Sequence, residues 1–417
     1  MPEVRTLVLI AAIAALTPVI ADLIRPRLRL PAVVLEIALG ILIGPRVLDW
    51  AHPEEVLKTL GEFGLVFLIF LAGFEVDAGE VRGRTGKLAA AGWLVSLAAG
   101  VAAAFVLHAL DVTTGIRFVA IALTTTAIGT LLPMLGDAKV LPKPLGRNIL
   151  ASGAMGEIGP IVAISVALTS DDLGRTTFAI AGFAAVVAAA AWLTTRPARP
   201  RIVRLISRTL HSSGQLGVRI SVLLCVLLVW AAAEFDLDIL LGSFAAGMLA
   251  RLFLVEHSDD GEHLTAHGGE AGDPAHVEVL HRLESIGFGF FIPLFFVLSG
   301  TRFDVDALLD VGQLVKIPLF LALFLLVRGA PALLLYRNDL TPADVRAMAF
   351  LQAAALPLLV VITELGVESG QMRADNAAGM VGAGLLSVII FPLVALALHA
   401  RSDQGADAPP VATPAGH

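Results

Sequence analysis

Apolar residues run along this chain in thirteen long stretches separated by short polar or charged connections. They lie near 5–24, 30–49, 56–75, 88–110, 116–135, 146–169, 177–195, 217–234, 237–254, 282–300, 313–335, 343–365 and 374–399. Each is roughly 18–25 residues long, enough for a helix to cross a hydrocarbon core of ~30 Å. The pattern predicts an all-α polytopic membrane protein of about 13 transmembrane helices.

The polar exceptions inside these stretches carry the chemistry. Glu157 sits near the middle of the run 145–168, with Arg147 its only nearby charge. Arg328 lies inside the run 313–335, and Thr124, Thr125, Thr126 and Thr130 interrupt the run 116–135. A carboxylate at mid-membrane depth costs at least about 2.5 kcal/mol unless it faces protein or a wet cavity, and such residues mark ion or proton paths. Lys316 is near an expected helix end and is expected to snorkel. Glu36 is expected to be buried in the second helix or to face a dimer contact.

Composition agrees with the pattern. Hydrophobic residues make up 57% and charged residues 16% of the chain, far from the usage of soluble domains. The basic residues set the orientation. Arg25, Arg27 and Arg29 follow the first span, so it reads as an uncleaved helix with its N-terminus outside. Most of the 29 Lys and Arg then fall on the cytoplasmic side, among them Arg82, Arg84, Lys87, Lys139, Lys143 and Arg147. An odd number of spans places the C-terminus inside. The net charge of −7 offers no basic surface for nucleic acid. The single Cys225 excludes an intramolecular disulfide and most cysteine metal sites. No convergent nucleophile and base points to an enzyme, and no cofactor is expected.

The chain also repeats itself. Leu30–Gly40 (LPAVVLEIALG) matches Leu237–Gly247 (LDILLGSFAAG) at an offset of 207. Gly61–Asp77 resembles Gly287–Asp304, with Gly73 against Gly300 at an offset of 227. The change of offset fits an insertion, the His- and acid-rich stretch 255–281. Seven spans separate the copies, so the halves, about 5–169 and 217–399, have opposite orientation, with 177–195 as a linker helix. This is the inverted-repeat plan of secondary transporters, in which a broken helix from each half crosses at the midplane. At offset 227, Thr125 and Thr130 fall against Gln352 and Pro357. One helix carries the threonines and Pro133, the other Gln352 and Pro357, so both are expected to break. The alternative for each is a simple proline kink, with the threonines bonded to the preceding turn.

A cation–proton exchanger needs one group that binds either ion but not both. Glu157 meets that need, since burial favours its protonated form and a nearby cation its charged form. Thr125 and Thr126 are candidate oxygen ligands for a hard cation. Arg328 keeps its proton at physiological pH and is the candidate counter-charge, expected about 6 Å from Glu157 in depth at 1.5 Å per residue. The alternative is a purely structural ion pair.

These motifs resemble the monovalent cation:proton antiporter superfamily, in particular its Kef-like sodium/hydrogen exchanger branch. The residues that carry the resemblance are Leu30–Pro45, Gly61–Asp77, Leu241–Leu249 and Phe290–Gly300. The resemblance implies a homodimer in a bacterial-type inner (plasma) membrane, a core domain that moves against a dimerisation domain, and crossed broken helices at the ion site. It implies an acidic pair on the sixth helix, which here reads Gly156-Glu157. It also places a basic residue at Arg328. The Gly-Glu-Phe-like element expected on the twelfth helix is replaced by Gln352–Pro357 (QAAALP). The expected function is exchange of a monovalent cation (Na⁺ or K⁺) for protons by alternating access at one carboxylate, electroneutrally. A cation-coupled organic solute symporter and a non-transporting sensor are the competing readings. The transport domain is expected over 1–400, and 401–417 is expected to be a disordered cytoplasmic tail. A nucleotide-binding domain of the kind Kef-like relatives carry is not expected.

Overall fold

The computed structural model describes residues 2–24, 30–75, 83–168, 173–194, 215–259, 275–303 and 314–406. Most of the His-rich stretch 255–281 and of the tail 401–417 lies outside the described residues, as do Arg25, Arg27, Arg29 and Arg82. The described residues are helical and follow the thirteen apolar stretches. These are α1 (Pro2–Ile24), α2 (Ala32–Ile43), α3 (Glu55–Glu75), α4 (Gly83–Ala109), the pair α5a (Ile116–Ala122) and α5b (Ile128–Asp137), α6 (Pro144–Leu168), α7 (Leu173–Thr194), α8 (Leu216–Glu234) and α9 (Ile239–Asp259). Helix α10 runs through Ala275–Ile286, Gly287–Phe291 and Ile292–Thr301, and α11 through Lys316–Phe324, Leu325–Gly329 and Ala330–Leu335. The pair α12a (Pro342–Ala353) and α12b (Pro357–Glu368) precedes α13 (Ala374–Ala406). Nine of the described helices are long and apolar enough to cross a membrane.

Local chemistry sets the details. Helix α2 is shorter than its stretch and ends at Gly44-Pro45, because proline disfavours helical backbone at the residue before it. The middle segments of α10 and α11 are π-helical. Each ends two residues before a proline, Pro293 or Pro331. That proline lacks a donor and crowds the preceding turn, which a widened turn relieves.

The chain divides into two compact units. One gathers Met1–Ala78 and Ile158–Leu309, the other Gly79–Glu157 and Asp310–His417.

The first unit is built on backbone-close packing. A Cβ on Gly40 would collide with the Val297 carbonyl oxygen and lie 3.1 Å from the Gly300 Cα. One on Gly247 would collide with the Phe70 carbonyl and lie 2.9 Å from the Gly73 carbonyl carbon. Gly40 matches Gly247 and Gly73 matches Gly300 in the repeat, so the α2–α10 contact and the α9–α3 contact exchange under it. That is the signature of a two-fold relation between inverted halves. Around it, Ile10, Ile13, Ile43, Leu57, Leu294 and Leu298 form one apolar cluster. Glu36 is buried in this unit.

The second unit alternates its helices. Lys143 before α6 is 3.2 Å from His399 near the end of α13, and His399 is 2.6 Å from Asp344 at the start of α12a. Arg84 at the start of α4 meets Asp339 after α11 at 3.2 Å. At the other ends, Lys316 (α11) donates to Asp375 at 2.9 Å and Asn376 at 2.7 Å, both at the start of α13. Starts and ends thus sort as antiparallel succession demands. Lys316 is only 7% exposed, so the snorkelling expectation is corrected: a carboxylate and an amide on α13 satisfy its ammonium inside the unit.

Candidate functional site

Helix α5a stops because its own side chains compete for its last carbonyls. Thr124 Oγ1 donates to Ile121 O at 2.7 Å and Thr125 Oγ1 to Ala122 O at 2.9 Å. Such bonds offer the backbone an alternative to helix. Leu123–Ala127 is unwound, and α5b starts at Ile128. The break therefore lies before Pro133, at which the chain is helical; the expectation that this proline makes the break is corrected. In the partner helix the proline does act. Pro357 stands at the first turn of α12b, and Ala354–Leu356 ahead of it is not helical.

The two breaks meet within the second unit. The Ala127 N–H donates to Ala354 O at 2.8 Å, and Thr126 Oγ1 donates to Gln352 O at 2.7 Å. Ala127 and Ala354 differ by 227, the offset read from the repeat. Ser387 of α13 accepts from Ala355 N at 3.0 Å and donates to Gly384 O at 2.7 Å. Unwound backbone buried at membrane depth must be satisfied by protein in this way. The α5b and α12b N-termini and the α5a and α12a C-termini bring both signs of helix dipole to the crossing.

Helix α6 supplies the third wall. Pro160 has no N–H, which frees the carbonyl four residues back, that of Gly156. That carbonyl accepts from Thr126 N at 3.2 Å. Arg328, in the π-turn of α11, is 1% exposed. Its Nε donates to Thr126 Oγ1 at 2.9 Å, and its Nη2 to Ser152 O at 2.6 Å and Ser152 Oγ at 3.2 Å. Thr126 thus accepts from the guanidinium and donates across the crossing, using both capacities of its hydroxyl. A Cβ on Gly156 would lie 2.6 Å from Thr126 Oγ1 and 2.8 Å from Arg328 Nη2. The place of a first polar side chain on α6 is therefore taken by the guanidinium.

Of the sequence-read residues, Thr126, Gln352, Gly156 and Arg328 come together here. Glu157 follows Gly156 on α6 and is half-buried. Thr124 and Thr125 turn back onto their own helix. Thr130 does the same, with Oγ1 donating to Ala127 O at 2.9 Å. Pro357 sets the second break. Sequence reasoning missed Ser152 and Ser387, ordinary serines in apolar helices. It also missed Pro160, whose position four residues after Gly156 was a legible signal.

Two broken helices that cross beside a buried guanidinium are an arrangement found in secondary transporters. The chain belongs to the family described as sodium/hydrogen exchanger, transmembrane, which it matches over residues 9–396. It is 30% identical over 323 residues to cation/H⁺ antiporter 18 of Arabidopsis thaliana, covering 71% of this chain and 36% of that protein. It is 23% identical over 394 residues to the Na⁺/H⁺-K⁺ antiporter GerN of Bacillus cereus, covering 92% and 93%. The chain spans 64% of the length of YjbQ of Bacillus subtilis, to which it is 25% identical, so it spans less than two thirds of several relatives. The structure of the sodium proton antiporter MjNhaP1 from Methanocaldococcus jannaschii shares the fold, with a TM-score of 0.65 at 14% identity, over 97% of this chain and 98% of that one.

Proposed function

We propose that the chain exchanges a monovalent cation, Na⁺ or K⁺, for protons by alternating access at Glu157. The observation that carries this reading is the crossing itself: Thr126 joins Arg328 to Gln352 against Gly156, the residue before the half-buried Glu157. The guanidinium balances the Glu157 carboxylate when no cation is present. An entering cation takes the carboxylate, and the hydroxyls and broken-helix carbonyls near Thr125 and Thr126 replace its water. Proton return to Glu157 releases it. Competition of cation and proton for one group is the coupling.

The exchange is one for one. Gly156 leaves no room for a second carboxyl, because Thr126 and Arg328 occupy the space beside it. The relatives named as cation/proton antiporters support the substrate class. The charge bias supports N-terminus outside and C-terminus inside in a bacterial-type plasma membrane, and the family resemblance supports a homodimer. The repeat halves run over about 5–169 and 217–399.

Purified protein in proteoliposomes with a trapped pH-sensitive dye tests the activity. Addition of Na⁺, K⁺ or Li⁺ is expected to release protons with no organic solute present. Silence with all three cations across the neutral pH range contradicts antiport and leaves solute uptake as the next reading.

A further inference from the structure

The exchange site accounts for Arg328, but not for a set of polar groups beside it. Among the described residues, four buried side-chain atoms lack any hydrogen-bond partner, Trp93 Nε1, Ser96 Oγ, Thr113 Oγ1 and Asn376 Nδ2, while the buried Tyr336 hydroxyl is turned to Ser152 and Gln352. Two of them, Trp93 and Ser96, belong to the buried side of α4, a helix that packs against the end of α11, where Tyr336 lies. Ser96 and Tyr336 are 0% and 1% exposed. Orphaned buried donors and acceptors are rare in native proteins, and a bound water is the usual partner.

The register of α4 is fixed at three points, two against α11 and its following turn and one against α5a. Arg84 pairs with Asp339 at 3.2 Å at its solvent-exposed end. Further in, a Cβ on Gly92 would lie 3.4 Å from the Leu335 side chain. Deeper still, one on Gly100 would lie 2.7 Å from Ala120 O and 3.4 Å from Thr124 Cγ2, where α5a ends. Gly92, Trp93, Ser96 and Gly100 belong to one buried stripe of α4. Trp93 and Ser96 therefore sit between the exposed ion pair and the helix break. The polar side chains facing the Tyr336 hydroxyl are Ser152 and Gln352, which are the acceptor of Arg328 and the anchor of the crossing. Tyr336 is the single tyrosine of the chain.

We propose that Trp93, Ser96 and Tyr336 hold a short file of ordered water along the α4–α11 seam, and that this file conducts the proton to and from the exchange site. The indole N–H is a donor only, while both hydroxyls donate and accept. Each water in such a file finds at least two polar partners, one of them the next water. A hydroxyl relay passes a proton by taking one from one neighbour as it gives its own to the other, with no net change in Tyr336 or Ser96. A cation is too large and too strongly hydrated to follow a single file lined by an indole and two hydroxyls. Proton and cation would then reach Glu157 by different routes. This inference rests on the antiport reading above.

Two measurements test it separately. The first is pulsed hydroxyl-radical footprinting of the wild-type protein in proteoliposomes, which needs no variant and no transport. Buried residues beside ordered water are oxidised, so Tyr336 and Trp93 are expected to be labelled in spite of their burial. Unlabelled Tyr336 and Trp93 overturn the water file even if antiport is proven. The second is exchange by Tyr336→Phe, with Ser96→Ala as the milder variant. Loss of a positioned proton-transfer group is expected to lower the maximal rate about tenfold or more for Tyr336→Phe. The cation concentration at half-maximal rate stays unchanged, and the slowing in D₂O becomes larger. A wild-type maximal rate in Tyr336→Phe overturns proton conduction along the seam. A parallel loss of apparent cation affinity also overturns it, because a merely structural change would produce that loss. If wild-type protein exchanges nothing, the antiport reading fails, and footprinting alone still decides whether the seam holds water.

Discussion

The α2–α10 and α3–α9 contacts of the first unit and the crossing of the second use glycine in different ways. In the first, Gly40 and Gly247 let backbone touch backbone. No rotamer change can make room there. At the crossing, Gly156 abuts the Thr126 side chain, its Cβ included, and the end of Arg328, and the helices are held by side-chain hydrogen bonds. Packing of the first kind fixes a frame. Bonds of the second kind have discrete alternatives, which the proposed exchange of one ion for another requires.

The sharpest way to break this contrast is in the frame. Gly247→Leu drives a side chain into the Phe70 and Gly73 backbone and is expected to destabilise by about 3 kcal/mol or more. The melting temperature of the detergent-purified protein reads this, and an unchanged value would sink the backbone-contact account. Next comes Thr126→Val, which keeps the shape but strips the partners of Arg328 Nε and Gln352 O. Its expected cost is about 2 kcal/mol, with exchange lost; wild-type exchange in this variant would show the bridge to be unnecessary. Gly156→Ala is expected to cost about 1–2 kcal/mol, because the end of Arg328 can give way but Thr126 Cβ at 2.7 Å must shift with its backbone. Its rate should fall more than its stability, so comparing melting with exchange separates the two. Thr124→Val is expected to be the smallest, within about 0.5–1.5 kcal/mol, since its bond is to Ile121 in its own helix. A large loss of exchange there would mean that its hydroxyl meets the ion directly.

Much of this was legible in the sequence. A membrane span must be apolar for its full length, so the thirteen stretches were visible without packing information. The repeat offset of 227 reappears as the Ala127–Ala354 bond, because both halves obey one local geometry. The failures have a common physical cause: a polar group's partner lies on another helix. Lys316 read as a snorkelling end because Asp375 and Asn376 are some sixty positions away. Arg328 read only as a partner for Glu157, while its bonds to Ser152 and Thr126 depend on how α5a, α6 and α11 pack. The threonines and Pro133 read together as the cause of one break. Thr124 and Thr125 bond the preceding turn, and that moves the break upstream.

The central claim is that one carboxyl, Glu157, trades a proton for a cation. Its most direct test is proton release on cation binding, followed in weakly buffered detergent solution beside a cation titration. The account predicts one proton released per cation bound by the wild type, and none by Glu157→Gln. Undiminished proton release from Glu157→Gln would contradict it, as would cation binding by the wild type with no proton released.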